Sequence, residues 1–535
     1  MKQLPLFGDD KKLLNLKEAS IWASQYLNRK ITVSNISYLI RYGRIKKYGN
    51  DKNPLVNIEE IKEYYDSFSN SKEKKWREIL GEDINWHLSF SQYKEAERTK
   101  HVHRLHPYKG KFIPQLVEYF LDSHTDEFKK RVFFHKGDIV LDPFCGSGTT
   151  LVQANELGMH AIGVDISSFN VLISNVKVAK HNLPLIEETI RELTRKLKEF
   201  QSGRKNVIFE EHLLIKLTEF NNKYFPSPEF KKKVSKGEID ENQYTSTKVK
   251  EFLQIYNSLV EEFKIKIKQD KDETFLDKWY AKPVREEIDF MASEIKKIED
   301  EDVRNVLTII LSRTARSCRA TTHADLATLK EPVFTPYYCK KHGKICKPLF
   351  SITKWWEFYT IDTLNRLKEF DKLRTDTIQI CITGDSRTID IYEEVKKINP
   401  EFAELLLKQK IRGIFSSPPY VGLIDYHEQH AYAYEIFGFE RRDELEISPL
   451  SKGQGEEQRK AYIKDIAQVL INCKRYLQPD YDIFLVANDK FNLYPKIAEL
   501  AGMKIVNELK RPVLCRVEKD RETPFYETIF HLKEK

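Results

Sequence analysis

Two short stretches carry residue types at spacings that can do chemistry. The first is Asp142-Pro-Phe144-Cys-Gly146-Ser-Gly148-Thr. Gly146 and Gly148 let the backbone turn tightly and approach a ligand with no Cβ in the way. A helical pattern follows at Leu151, Ala154 and Leu157. Strand, glycine turn and helix form the arrangement that binds a nucleotide-like cofactor at the carboxyl end of a sheet. The second stretch is Ser417-Pro418-Pro419-Tyr420. Consecutive prolines fix φ and stiffen a turn. That turn presents the Ser417 hydroxyl and the Pro418 carbonyl as acceptors and the Tyr420 ring as a stacking face.

The elements that must position these groups are legible as apolar runs. Ile139 to Leu141 reads as a buried parallel strand closed by Asp142 and Pro143. A second strand, Ala161 to Asp165, ends on an acidic residue that can accept hydrogen bonds from two ribose hydroxyls. Leu151 stands where the dinucleotide fingerprint needs its third glycine, which weakens a nicotinamide or flavin reading. No Gly-Lys-Ser/Thr follows the turn, which excludes a P-loop. Phe169 to Ala179 reads as a helix. Ile378 to Ile382 reads as a third strand, ending at Gly384-Asp385. Ile414 to Ser416 leads into the proline turn, and Ile483 to Asn488 forms a further strand. Val513 to Val517 and Glu527 to Leu532 alternate like a closing antiparallel hairpin.

Phe144-x-Gly146-x-Gly148 together with Ser417-Pro-Pro-Tyr420 resembles the DNA methyltransferases that modify exocyclic amines, N4 of cytosine or N6 of adenine. The resemblance covers roughly Leu105 to Phe169 and Ile378 to Leu532. It implies an α/β fold with a Rossmann-like class I methyltransferase sheet, and S-adenosylmethionine as methyl donor. By this resemblance Asp142, Phe144, Gly146, Gly148, Asp165 and Ile166 hold the cofactor, and Asp385 meets the adenine amine. Lys111 and Phe112, within His103 to Phe120, lie in the segment that the family packs beside the methionine end. Ser417, Pro418, Pro419 and Tyr420 become the catalytic turn. Serine at its first position leans toward N4 of cytosine, with N6 of adenine as the alternative. A non-catalytic DNA-binding regulator built on the same scaffold is the alternative of another class. The family further implies duplex DNA as substrate and a restriction endonuclease as partner.

The remaining segments are read as accessories. Residues 1–70 resemble an excisionase-like winged helix-turn-helix. Ser34 would cap its second helix, Ser34 and Asn35 would face the major groove, and Arg41, Arg44 and Lys46 would meet phosphates. Residues 71–184 form the cofactor half of the core and 372–535 the catalytic half. The charged stretch from Ser69 to Glu97 reads as a linker plus a helix. Between the halves, residues 185–371 read as a mostly helical insertion with an exposed loop at Phe230 to Thr247, and as a candidate target-recognition region. Arg313, Arg316 and Arg319 share one helix face there, expected to contact the DNA backbone. Cys339-Lys-Lys-His342-Gly-Lys-Ile-Cys346, with Cys318 or His323 as a fourth ligand, has zinc-ligand chemistry. It lacks a clean second pair, so no metal is assigned.

Composition sets outer bounds. The 535 residues carry 89 Lys and Arg against 81 Asp and Glu, a net +8 that permits a polyanion partner without demanding one. Seven cysteines without paired spacing suggest a reducing compartment. No signal-like start and no membrane-length apolar run is present, which points to the cytoplasm.

Overall fold

Seven strands build one sheet, numbered here along the chain: β1 (Ile139–Asp142), β2 (His160–Asp165), β3 (Gln379–Thr383), β4 (Ile411–Ser416), β5 (Leu477–Ala487), β6 (Met503–Pro512) and β7 (Tyr526–Glu534). The computed structural model describes residues 12–514 and 523–535, apart from 28–30, 42–44, 50–53, 70, 82, 92, 94 and 327–328. The spatial order is β3-β2-β1-β4-β5-β7-β6. The pairs β3–β2, β2–β1, β1–β4 and β4–β5 are parallel, whereas β7 is antiparallel to both β5 and β6. Strands β1 and β4 are almost wholly buried, as continuous apolar runs covered on both faces must be. The chain runs from β1 outward to β3, then returns across β1 to β4. That reversal opens a crevice at the carboxyl ends of β1 and β4, where such sheets bind ligands.

Helices cover both faces. On one side lie α1 (Pro114–Leu121), α2 (Thr149–Glu156), α3 (Ser168–Val178) and α4 (Glu301–Ser317), sharing a core that includes Phe120, Leu151, Phe169, Ile310 and Phe415. The other face packs the helix Glu456–Lys474 through Tyr462, Ile466 and Leu470 onto Leu141, Ile414 and Leu485. The insertion between β2 and β3 is divided. Leu183–Gln201, Lys282–Lys296, α4 and Thr353–Asp371 belong to the main core. Lys205–Tyr224 and Glu241–Phe263 build a satellite core around Phe209, Phe220, Phe252 and Tyr256.

Several sequence expectations need correction. Phe230 to Thr247 is no exposed loop: helices occupy Glu229–Ser235 and the chain from Glu241 on, and Phe230 and Thr245 are buried, because an aromatic among charges found the satellite core. The stretch after Ser69 is not a free linker. Helix Ser71–Leu80 leads to Asn85, whose N–H donates to the Lys510 carbonyl of β6 (2.7 Å), while Arg511 Nε donates to the Leu88 carbonyl (3.2 Å). The edge strand is thereby covered, which blocks edge pairing. The partner of β7 is Met503–Pro512, ahead of the expected Val513–Val517, of which 515–517 lie outside the described residues.

Residues 12–69 have their own small core of Leu14, Ala19, Ile36, Val56 and Ile61. Helices Leu16–Tyr26, Val33–Arg41 and Ile58–Ser69 surround a three-stranded sheet of Leu13–Asn15, Pro54–Asn57 and Tyr48–Gly49. Thr32, not Ser34, caps the second helix: its hydroxyl accepts the Asn35 N–H (3.2 Å), and Asn35 Oδ1 accepts the Thr32 N–H in return (2.8 Å). Among the described residues no helix is long and apolar enough to cross a membrane.

Gly413 of β4 lies opposite Asp482 of β5, and a Cβ there would collide with the Asp482 carbonyl. Gly413→Ala should therefore cost at least about 2 kcal/mol, because backbone, not a rotatable side chain, must give way. A thermal unfolding midpoint equal to that of the unmodified protein would refute the close approach.

Candidate active site

The glycine turn is held by a carboxylate. Asp165, at the end of β2, accepts the Gly146 N–H on one oxygen (2.8 Å), and on the other the Ser167 N–H (2.9 Å) and the Asn170 amide (3.1 Å). Gly146 adopts φ +50° and Gly148 φ +74°, the left-handed region that disfavours side chains. A Cβ on Gly146 would meet the Tyr108 ring at 3.0 Å. One on Gly148 would meet Ser174 Oγ at 2.9 Å and Ser174 Cα at 3.1 Å. Behind the turn, Asp142 is buried and accepts the Ser416 hydroxyl (2.5 Å) and the Phe144 N–H (3.2 Å). Burial pushes both carboxyls up to about 6, against the pull of these hydrogen bonds. Folded values above the unfolded ~3.9 mean that ionisation works against folding. The stability contribution of these groups is complete below about pH 4 and is lost as pH rises through about 6.

The crevice forms a cleft of about 870 Å³ open to solvent. Of the residues read from sequence as cofactor or catalytic groups, Lys111, Phe112, Phe144, Gly146, Asp165, Ile166, Asp385, Ser417 and Pro419 line it. Asp142, Gly148, Pro418 and Tyr420 do not; they support the wall from behind or beside it. Lys111 Nζ donates to the His103 carbonyl (2.7 Å), and burial brings the ammonium down to about 8. Asp385 is gripped by the Arg387 guanidinium (2.7–3.0 Å), which also reaches Asp465 (3.0 Å). The Ser417 hydroxyl donates to the Val486 carbonyl of β5 (2.9 Å). The Tyr420 hydroxyl donates to Glu527 of β7 (2.8 Å), itself paired with Arg511 (2.9 Å). Burial first, then the Glu527 charge, drives the Tyr420 phenol well above its usual range, so it stays protonated.

Sequence reasoning left other cleft residues unassigned. Tyr108 and Tyr426 lie parallel across the cleft, centroids 6.0 Å apart at 23°. His427 pairs with the Glu446 carboxylate on the same wall. Both belong to aromatic-rich segments whose pattern is equally that of core. Ser147 Oγ and Asn170 Oδ1 are buried in the cleft lining without a hydrogen-bond partner. Buried polar atoms are normally satisfied, so these two are aimed at a ligand. With aromatic walls and a glycine cradle, the donor set fits a nucleoside-bearing cofactor.

The arginine face is corrected by burial. Arg313 is 5% exposed, donates to Thr363 Oγ1 (2.6 Å), pairs with Asp362 and lies over the Tyr359 ring. Arg319 is 8% exposed and donates to the Arg316 and Leu326 carbonyls (2.9 and 2.7 Å). Helix α4 is wrapped by the main core, so these two guanidiniums tie the insertion together and present no face to DNA. Arg316 is half-buried. In the N-terminal unit Ser34, Asn35 and Lys46 are exposed. The Arg41 side chain and all of Arg44 lie outside the described residues.

The strand order, the switch-point cleft and its nucleoside-fitting lining define the methyltransferase class of α/β fold. A family model described as DNA methylase (N6_N4_Mtase) matches residues 6–175. The type II methyltransferase M.MjaII of Methanocaldococcus jannaschii is 49% identical over 530 residues, 98% of this chain and 97% of that protein. M.BsoBI of Geobacillus stearothermophilus is 29% identical over 123 residues, 23% of this chain and 22% of its own. M.MvaI of Kocuria varians is 26% identical over 132 residues, 25% of this chain and 28% of its own. The chain belongs to the type II DNA methyltransferases, enzymes of the amino-methyltransferase kind that act within restriction-modification, and S-adenosylmethionine is its methyl donor.

Gly148→Ala adds a methyl at φ +74° against Ser174. The expected loss is about 1–3 kcal/mol of stability, read as a lower thermal midpoint, with Ser174→Ala in the same chain recovering the part due to contact. No recovery would assign the whole effect to backbone strain.

Proposed function

We propose that this enzyme methylates the exocyclic N4 of cytosine in duplex DNA, protecting sites against a cognate restriction endonuclease. The observation that carries the reading is the Ser417 hydroxyl. Its proton is committed to the Val486 carbonyl, so its lone pairs are left to accept from an amine in the cleft. An exocyclic amine is a poor nucleophile because its lone pair is delocalised into the ring. Acceptors at Ser417 Oγ and the Pro418 carbonyl would draw the NH2 toward tetrahedral geometry and aim the lone pair. The prolines and the Val486 tether keep those acceptors in position, which is the preorganisation that electrostatic catalysis needs. S-adenosylmethionine, when bound, supplies an electrophilic methyl on a sulfonium that needs no general acid to leave.

Within this reading, Asp165 would accept the ribose hydroxyls and Ile166 would flank the adenine ring. Asp385, oriented by Arg387, would accept the adenine amine. Lys111, Phe112, Phe144 and the turn from Asp142 through Gly146 to Gly148 would enclose the remainder. Pro419 would shape the cleft mouth. Tyr420, its ring oriented by Glu527, would stack on a base rotated out of the duplex. The N-terminal unit, residues 1–70, would serve as a winged helix-turn-helix reading DNA through Ser34 and Asn35 with Lys46 on phosphate; their exposure supports this. Residues 71–184 and 372–535 would act as the two halves of the catalytic domain, and 185–371 as the target-recognition insertion.

Labelled methyl transfer to mixed-sequence duplex DNA, followed by digestion to nucleosides, should yield N4-methylcytosine. N6-methyladenine would overturn the base assignment. Ser417→Ala should lower the turnover rate by about 10²–10³-fold with cofactor affinity nearly unchanged; a wild-type rate would remove Ser417 from catalysis. Since burial lifts the Asp165 carboxyl to about 6, cofactor affinity should hold above about pH 7 and weaken as pH falls through about 6, where the acceptor charge is lost. Asp165→Asn should bind weakly with no such pH step. An unmodified enzyme whose affinity is flat across that range would exclude Asp165 from the ribose contact.

A further inference from the structure

We propose that His323, Cys339, His342 and Cys346 form a structural zinc site that pins the insertion's hairpin to the chain leaving α4. One ligand atom from each residue lies within 4.8 Å of all the others. The strands Tyr337–Cys339 and Lys344–Cys346 pair antiparallel, with Cys339 opposite Lys344 and Tyr337 opposite Cys346. The turn between them folds back on Cys339, whose carbonyl accepts the N–H of both His342 (3.1 Å) and Gly343 (2.7 Å), with Gly343 at φ +62°. This brings a Cys-x-x-His pair and Cys346 to one point.

The fourth member comes from elsewhere in the chain, which is why spacing alone did not assign a metal. His323 is delivered by the loop after α4, and its ring centroid lies 4.5 Å from that of His342. Cys318, the other sequence candidate, is buried elsewhere and takes no part.

The distances and donor types suit zinc. His342 Nδ1 lies 3.3 Å from Cys346 Sγ. Two ligands on one tetrahedral zinc, with Zn–N near 2.0 Å and Zn–S near 2.3 Å, are about 3.5 Å apart. Two thiolates and two imidazoles are the soft and borderline donors that select zinc over oxygen-seeking magnesium or calcium. Both cysteines are buried while the two histidines lie at the surface, so the cluster closes over a metal from the protein side. Outer contacts are also in place. The Tyr337 hydroxyl lies 2.8 Å from His323 Nδ1 and accepts the His323 backbone N–H (3.0 Å). With Nδ1–H donating to that hydroxyl, the Nε2 lone pair is free for metal; partners of this kind fix the tautomer of metal-bound histidines. Four protein ligands leave no open position, so the site is structural.

Its consequence is mechanical. Ile345, between the ligands, is buried in the satellite core and bracketed by the Asn221 amide, which bonds its N–H and its carbonyl (3.0 Å each). The loop bearing His323 continues from Arg319, whose guanidinium is fastened inside the main core. A metal here cross-links satellite core to main core without widening either.

The test uses untagged full-length protein, purified with reductant and without chelator. Elemental analysis should find about one zinc ion per chain. Replacement by cobalt(II) should produce the visible band of a tetrahedral cobalt site and thiolate-to-cobalt charge transfer in the near ultraviolet. The surface substitutions His323→Ala and His342→Ala should each weaken zinc retention at least about tenfold against a chromogenic chelator, while Cys318→Ser should keep full zinc content. Protein that carries no zinc, with Cys339 and Cys346 titrating as free thiols or joined as a disulfide, and that gives no tetrahedral cobalt spectrum, would overturn the site. Undiminished zinc affinity in His323→Ala would overturn the fourth ligand.

Discussion

The Asp165 carboxylate holding the Gly146 N–H is the interaction on which the cleft depends. It joins the end of β2 to the turn after β1, and its other oxygen fastens the start of α3 through Ser167 and Asn170. One buried group therefore sets three backbone segments at once. The arrangement carries an electrostatic cost, seen in the rise of the carboxyl to about 6. Such cost is characteristic of groups poised for ligands. The glycines are the other half of the constraint. A Cβ at Gly146 would displace Tyr108, and one at Gly148 would displace Ser174, so the turn and its surroundings are mutually tight.

The second constraint is topological. The glycine turn and the proline turn lie far apart in sequence, yet they leave adjacent parallel strands β1 and β4 at the same end. Ser416 donates to Asp142 beneath the glycine turn, while its neighbour Ser417 donates to Val486 on β5. Successive residues of a strand end point to opposite faces, so one serine braces the cofactor side and the next stands at the cleft. The Tyr420–Glu527–Arg511 chain extends this bracing to the antiparallel edge, which is itself covered by Asn85 and Leu88. The edge hairpin thus has a role at the catalytic turn beyond completing the sheet.

The insertion illustrates how charge misleads in a linear reading. Three arginines at helical spacing look like a polyanion surface, but α4 is wrapped by the main core and its arginines are spent on Asp362, Thr363 and backbone carbonyls. Buried guanidiniums need such partners, and their partners come from segments that only the fold brings near. The same holds for His323, which reaches the Cys339–Cys346 hairpin across the chain.

Local signals carried much of the architecture. Apolar runs ending in Asp142, Asp165 and Ser417, the glycine spacing and the double proline were enough to read the sheet, the cofactor class and the catalytic turn, because strand periodicity, φ restriction and missing Cβ atoms are properties of a few adjacent residues. They also carried the helix after Asp165 and the placement of the insertion between β2 and β3. What tertiary structure alone decided was everything that depends on partners distant in sequence. It placed Tyr108 against Tyr426, committed the Ser417 proton to Val486, withdrew Arg313 and Arg319 from the surface, and moved the last antiparallel pairing to Met503–Pro512. Side-chain type and spacing specify what a residue is able to do; desolvation and the neighbours supplied by the fold determine what it is left free to do.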